Sequence, residues 1–131
     1  FVAFGAFIAV FYNLGLWQNR FHSDLWFAFS WGAFPVLTSY WVHASRLDVA
    51  VVIVAVSCFF LTLAQRTLST SVRTIRRKSV SVEGYIDLVD GERIELDSER
   101  IIEVPERALA SLVVAIVVLA AGLLTYRLQT Q

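Results

Sequence analysis

Residues 108–126 read Ala-Leu-Ala-Ser-Leu-Val-Val-Ala-Ile-Val-Val-Leu-Ala-Ala-Gly-Leu-Leu-Thr-Tyr, 19 positions without an Asp, Glu, Lys or Arg. A buried strand can be as oily, but strands rarely exceed about 10 residues. A helix rises about 1.5 Å per residue, so about 17–25 mostly apolar residues cross the hydrocarbon core of a bilayer. The stretch is predicted to be a transmembrane helix. Upstream lie three more charge-free stretches, 1–19, 25–45 and 49–65, of 19, 21 and 17 residues. All four satisfy the length requirement, the third at its lower bound. The expected fold class is an all-α integral membrane protein with four transmembrane helices and a small cytoplasmic β-hairpin insert between helices three and four.

Composition agrees. The chain has 131 residues, 57% hydrophobic and 17% charged, with a formal net charge of +0. Soluble domains run at about 45–50% apolar and about 25% charged residues, so the excess of apolar residues excludes a disordered chain and argues against an ordinary soluble globule. Cys58 is the single cysteine, which leaves no intrachain disulfide and no cysteine-based metal cage. A net charge of zero gives no case for nucleic acid as a partner. The charges are nevertheless segregated: residues 66–107 hold 17 of the 22, eight basic and nine acidic, and the rest of the chain holds Arg20, Asp24, Arg46, Asp48 and Arg127. Three parts follow: 1–65 with helices one to three, 66–107 as a basic helix extension plus β-hairpin, and 108–131 as helix four and an outer tail.

Orientation is set by basic residues near span ends. Arg20 and the eight basic residues of 66–107 fall on one side, against Arg46 and Arg127 on the other, nine to two. The 66–107 loop is expected to be cytoplasmic, with the Phe1 and Gln131 ends on the opposite side of a multi-pass protein. The first stretch lacks the basic start and small-residue cleavage site of a signal peptide and carries Phe1, Phe4, Phe7, Phe11 and Trp17, so it is expected to be a span. With no Met in the chain and Phe1 already inside an apolar run, residues are expected upstream of it.

Helix two carries the most detailed signals. Ser23 or Asp24 suits the N-cap, Trp26 and the Tyr40-Trp41 pair suit the headgroup level, and Pro35 removes one hydrogen bond and should kink the span. Ala28 and Gly32, four apart, should let another helix approach closely, as should Ser111 and Ala115 in helix four. Trp31 is expected to face protein or a bound lipid or pigment. The short turn 43–48 makes helices two and three an antiparallel hairpin with Asp48 as N-cap of helix three. Pro105 suits the first position of helix four.

Beyond residue 65, Leu68, Val72 and Ile75 keep helical spacing while Arg66, Arg73, Arg76, Arg77 and Lys78 accompany them, so helix three should continue past the apolar stretch. The cations serve as a topology anchor, with contact to anionic lipid or a partner as the functional alternative. After Lys78 the pattern alternates: Val80, Val82, Gly84, Ile86 and Leu88, then Ile94 and Leu96. Asp90-Gly91 marks a hairpin. Pairing Ile86 with Ile94 and Gly84 with Leu96 across a three-residue loop, 89–91, keeps one face apolar. That face needs a cover, either 98–104, as a helical turn capped by Asp97, or a partner protein. The acidic 83–106 stretch can also pair with the basic extension.

Chemical motifs are sparse. The spans contain no Asp, Glu, Lys or Arg, which argues against a proton- or ion-coupled machine; Asn13 is assigned to helix contact. His22 and His43 are the candidate cofactor ligands, for haem or pigment, but 21 residues of helix separate them by about 30 Å, so they cannot share one metal. No nucleotide loop, HExxH, GxSxG or CxxC motif occurs. The expectation is a non-catalytic integral membrane subunit of a larger complex or a homo-oligomer. Its partners would be the lipid bilayer and other membrane subunits or further copies of itself. The alternatives are a cofactor-bearing redox subunit and a small oligomeric transporter or channel.

Overall fold

The computed structural model describes residues 1–13 and 23–130, with side chains described at 1–10 and 23–130. His22 and the Asn13 side chain lie outside the described set. The described chain is mostly helical with one two-stranded antiparallel sheet, and it divides into two compact units, Phe1–Thr67 and Leu68–Gln131.

In the first unit α1 spans Val2–Asn13. The next helix opens at Ser23, whose extended backbone and side-chain oxygen cap Trp26 N at 3.2 Å. It runs without interruption through α2 (Asp24–Ala28), a π-helical turn (Phe29–Ala33) and α3 (Phe34–Ala44). The π turn is the structural answer to Pro35. In a regular helix the proline ring would strike the carbonyl of Trp31, and no N–H exists at position 35 to bond it. The chain widens one turn instead, so that Phe34 N–H bonds to Phe29 O, five residues back. Where the sequence suggests a kink, the backbone shows this inserted residue, one of the recognised forms of local helix defect. Ser45 ends α3 in the left-handed region (φ 54°) and donates its N–H to Trp41 O at 2.8 Å, the role usually taken by glycine.

The third helix, α4, covers Val49–Lys78, 30 residues without a break. Its C-terminal third keeps the spacing that predicts a helical extension: Val72 is buried, and Leu68 and Ile75 are half-buried on the same side. Asp48 precedes it and its carbonyl accepts Val52 N–H at 3.3 Å. The Asp48 carboxylate, expected to cap α4, is instead engaged by Tyr40 and Arg46.

In the second unit β1 (Gly84–Asp87) pairs with β2 (Arg93–Leu96), with Gly84 opposite Leu96 and Ile86 opposite Ile94. This is the register that keeps one face apolar. Leu88 N–H bonds Glu92 O at 2.8 Å and Gly91 N–H bonds Leu88 O at 3.0 Å, which closes a three-residue loop with Gly91 at φ 88°. A Cβ at Gly91 would meet nothing within 4 Å, so any penalty there is purely conformational. Gly91→Ala is expected to destabilise the hairpin by about 1–2 kcal/mol. Amide hydrogen exchange should show this as faster exchange at the Ile86 and Ile94 amides, with α4 unchanged.

The last helix departs from expectation. Asp97, extended at φ −120°, accepts Arg100 N at 2.7 Å, and α5 then runs from Ser98 to Gln129, 32 residues with Pro105 inside. The sequence pattern suggests a short capped turn over 98–104 and a new helix from Pro105; in the structure the two are one helix. The cap, and the burial of Ile102 at 6% exposure, hold the turns upstream of the proline. The proline removes only the bond to the Ile101 carbonyl.

Two helices, α4 and α5, are long and apolar enough to cross a membrane, with mean hydropathies of 2.1 and 2.6 over their best 18-residue windows. Only 11% of the α4 window and none of the α5 window is buried inside the protein. The core helix of a water-soluble fold would have that surface covered.

Candidate functional site

A close approach in the first unit centres on Gly32. A Cβ there would stand 2.6 Å from both the Cys58 carbonyl oxygen and Thr62 Oγ1, and 3.0 Å from the Cys58 carbonyl carbon. One turn earlier Ala28 is fully buried at 0% exposure. The Ala28/Gly32 step thus lies where the π turn and α4 meet backbone to backbone. Pro35 is exposed, and Trp31 is 57% exposed with its ring 6.3 Å from that of Phe27. Ser111 and Ala115, the matching step on α5, are both exposed.

Two polar clamps flank this contact. Arg66 Nε donates to Asp24 Oδ1 at 3.0 Å, and its guanidinium lies 4.6 Å from the Phe27 ring centroid. The arginine side chain is only 21% exposed, against 49% for the aspartate, so this pair is less screened than a surface ion pair. At the other end of the run, Tyr40 Oη donates to the Asp48 carboxylate, which also accepts Arg46 Nε at 3.2 Å. The Tyr40 oxygen and the Asp48 carboxylate beside it hold the Arg46 guanidinium above its ordinary range, so Arg46 stays charged. Sequence reading identified none of these partnerships. The available signal was that the charges of 20–48 sit just outside apolar stretches, where a partner from an adjacent helix end can reach them.

Removing Arg66 leaves the Asp24 carboxylate without its ion pair. Arg66→Gln is expected to destabilise the first unit by about 1–2 kcal/mol, between the values for exposed and buried pairs. A double-mutant cycle with Asp24→Asn, followed by thermal unfolding in detergent, should return a coupling near 1 kcal/mol.

His43 Nδ1 sits 2.8 Å from the Ser39 carbonyl oxygen four residues earlier, a local contact that leaves one ring nitrogen for other use. Among the described residues no group of three or more His, Cys, Asp or Glu is placed to hold a metal ion.

In the second unit the basic residues separate by partner. Arg73 turns back on its own helix, with Nε to Ser69 O at 3.3 Å and Nη2 to Thr70 Oγ1 at 3.2 Å. Arg76 pairs with Glu106 at 2.8 Å, joining the end of α4 to α5. Arg77 and Lys78 are exposed and make no ion pair among the described residues. Within the hairpin Arg93 bonds Asp87 Oδ1 at 2.7 Å and lies 4.0 Å over the Tyr85 ring. The Arg76–Glu106 pair borders an open depression of about 580 Å³, to which Glu95, Asp97, Glu99 and Glu103 contribute. One basic residue of the extension is therefore neutralised by the acidic segment. Ile86 and Leu88, on the apolar face of the hairpin, remain 46% and 37% exposed.

Comparison of the chain with family models, with curated proteins and with solved structures finds no match.

Proposed function

We propose that the chain is a non-catalytic integral membrane subunit with four spans, 1–19, 25–45, 49–65 and 108–126. It packs through its helices and presents the basic end of α4 and the hairpin to a partner on the cytoplasmic side. The observation that carries this reading is α5: its most apolar window has none of its surface buried in the chain, so it needs cover from lipid or from other helices. The same logic applies at smaller scale to Ile86 and Leu88, whose exposure leaves the hairpin without a cover on its apolar face, and a lone hairpin is marginal in water. Arg77 and Lys78 are available to a partner of opposite charge or to an anionic leaflet, where each basic residue is worth about 1 kcal/mol.

Purification in mild detergent followed by light scattering tests the assembly. The expected result is a homo-oligomer or a complex with co-purifying chains, and a monodisperse single chain would sink the subunit reading. Topology is tested by placing single cysteines in a Cys58→Ser background and labelling intact cells with a membrane-impermeant maleimide. Arg46→Cys is expected to react, and Asp90→Cys to react only after permeabilisation.

A further inference from the structure

Several hydroxyls in or at the end of the described helices satisfy themselves. Ser57, Thr67, Thr125 and Thr130 each donate to the carbonyl four residues earlier, at 2.9–3.1 Å. Ser30 and Thr38 do not: their Oγ atoms are buried with no hydrogen-bond partner, and Ser30 as a residue is only 5% exposed. Both line a single cavity of about 440 Å³. Its floor comes from α1 at Gly5 and Ile8, and its wall from Trp31 and Phe34. Trp31 lines the same cavity, and its indole N–H donates to no described residue. The residue is 57% exposed, which opens the cavity to the surroundings of the helix.

Two buried, unpartnered hydroxyls, about 12 Å apart along the helix axis, thus line one cavity with the Trp31 indole and the Ser39 hydroxyl beside them. The π turn contributes Ser30 and Trp31 to this cavity, and α3 contributes Thr38. Their depth narrows the choice of acceptor. From Asp24 at the start of the helix, Ser30 lies about 9 Å along the axis and Thr38 about 21 Å, on either side of the midplane of a core about 30 Å thick. Phospholipid ester oxygens and sterol hydroxyls sit at the interface and do not reach that depth. Bulk water does not fill a cavity lined mostly by carbon. An acceptor oxygen that dissolves in hydrocarbon does.

We propose that this cavity binds a lipid-soluble ring compound with carbonyl oxygens, of the prenylated-quinone type. Its ring lies against Trp31 and Phe34 and its oxygens accept from Ser30, Thr38 or the Trp31 indole. The inference rests on the placement of residues 24–44 within the bilayer. It extends the subunit reading by giving this face of the protein a small-molecule ligand.

The test uses the full chain in phosphatidylcholine nanodiscs, titrated with menaquinone-4 and read by native mass spectrometry. Saturable binding at one per chain is expected. Ser30→Ala and Thr38→Val should each weaken it about five- to tenfold. Without ligand, both variants should melt at or above the wild-type temperature, because each removes an unpaired buried hydroxyl. That combination separates a ligand contact from a packing role, in which weaker binding and a lower melting temperature would come together. Uptake that is non-saturable, or equal in the Ser30→Ala/Thr38→Val double variant, overturns the proposal. So does equal binding of cholesterol, which would show that ring carbonyls are not what the site reads. A chain that stays soluble without detergent and does not enter nanodiscs overturns the membrane reading itself, a result distinct from incorporation without binding.

Discussion

Gly32→Ala is expected to destabilise the first unit by about 1–3 kcal/mol, the usual range for overpacking a close contact, and Gly32→Leu by more. A single methyl group would sit 2.6 Å from the Cys58 carbonyl oxygen. That atom belongs to the backbone of a helix and cannot turn aside. The second obstacle, Thr62 Oγ1 at the same distance, is a side chain and can rotate, so Thr62→Ala should relieve only part of the effect. The proper control is Gly122→Ala on α5, where an added Cβ meets nothing within 4 Å and alanine should help by up to about 1 kcal/mol through helix propensity. Thermal unfolding in detergent, followed by tryptophan fluorescence, distinguishes the two. Equal melting temperatures for Gly32→Ala and wild type would mean that α4 and the π turn are not held at this distance.

The parts of the fold that could be read in the sequence are those whose signal is local. Alternation from Val80 to Leu88, with Gly91 able to take a positive φ, fixes the hairpin register, because a one-residue slip would turn the whole apolar face outward. Leu68, Val72 and Ile75 mark the continuation of α4 by the same logic at helical period. Pro105 misled because its local preference for a helix start is real but weak beside a cap such as Asp97 with its bond to Arg100 N. The candidate site was less legible. Asp24 and Arg66 are 42 positions apart, and nothing in either neighbourhood names the other. The unpaired hydroxyls of Ser30 and Thr38 line a cavity that they share with Gly5 and Ile8 of α1, a tertiary outcome. Pro35 signalled a defect in the helix, but not that the defect would take the form of a π turn or that two hydroxyls would lose their usual back-bonded partners beside it.

Charge shows the same division between local and distant information. The net charge of +0 arises from a basic helix end followed by an acidic hairpin segment. The structure brings the two together through Arg76 and Glu106. Both members of that pair are substantially exposed, at 59% and 37%, so it contributes at most about 1 kcal/mol. Such a contact orients the segment more than it stabilises it. The larger energies lie in the apolar surfaces, and those decide where the chain resides.

Val117→Arg separates a bilayer from water by the sign and size of its effect. Val117 lies at the centre of residues 108–126 and is 61% exposed. In water, a substitution at so open a helical site typically changes stability by no more than about 0.5 kcal/mol, and the added charge would improve solubility. At the centre of a membrane span, arginine costs about 2.5–3.5 kcal/mol on insertion scales, roughly a hundredfold in the inserted fraction. The stretch has apolar surface to spare, so one arginine shifts the balance without reversing it. Val113, one turn away and 58% exposed, provides the second charge. The Val113→Arg/Val117→Arg pair is expected to abolish insertion, measured by glycosylation mapping of the Gln131 end or by extraction with alkaline carbonate. Val104→Arg is the matched control: it lies on the same helix, 73% exposed, but before the charge-free stretch begins. If the paired variant resists extraction as well as wild type does, or if Val104→Arg lowers the inserted fraction as much as Val117→Arg does, α5 does not lie in lipid. Its bare apolar surface would then require a protein partner along its whole length.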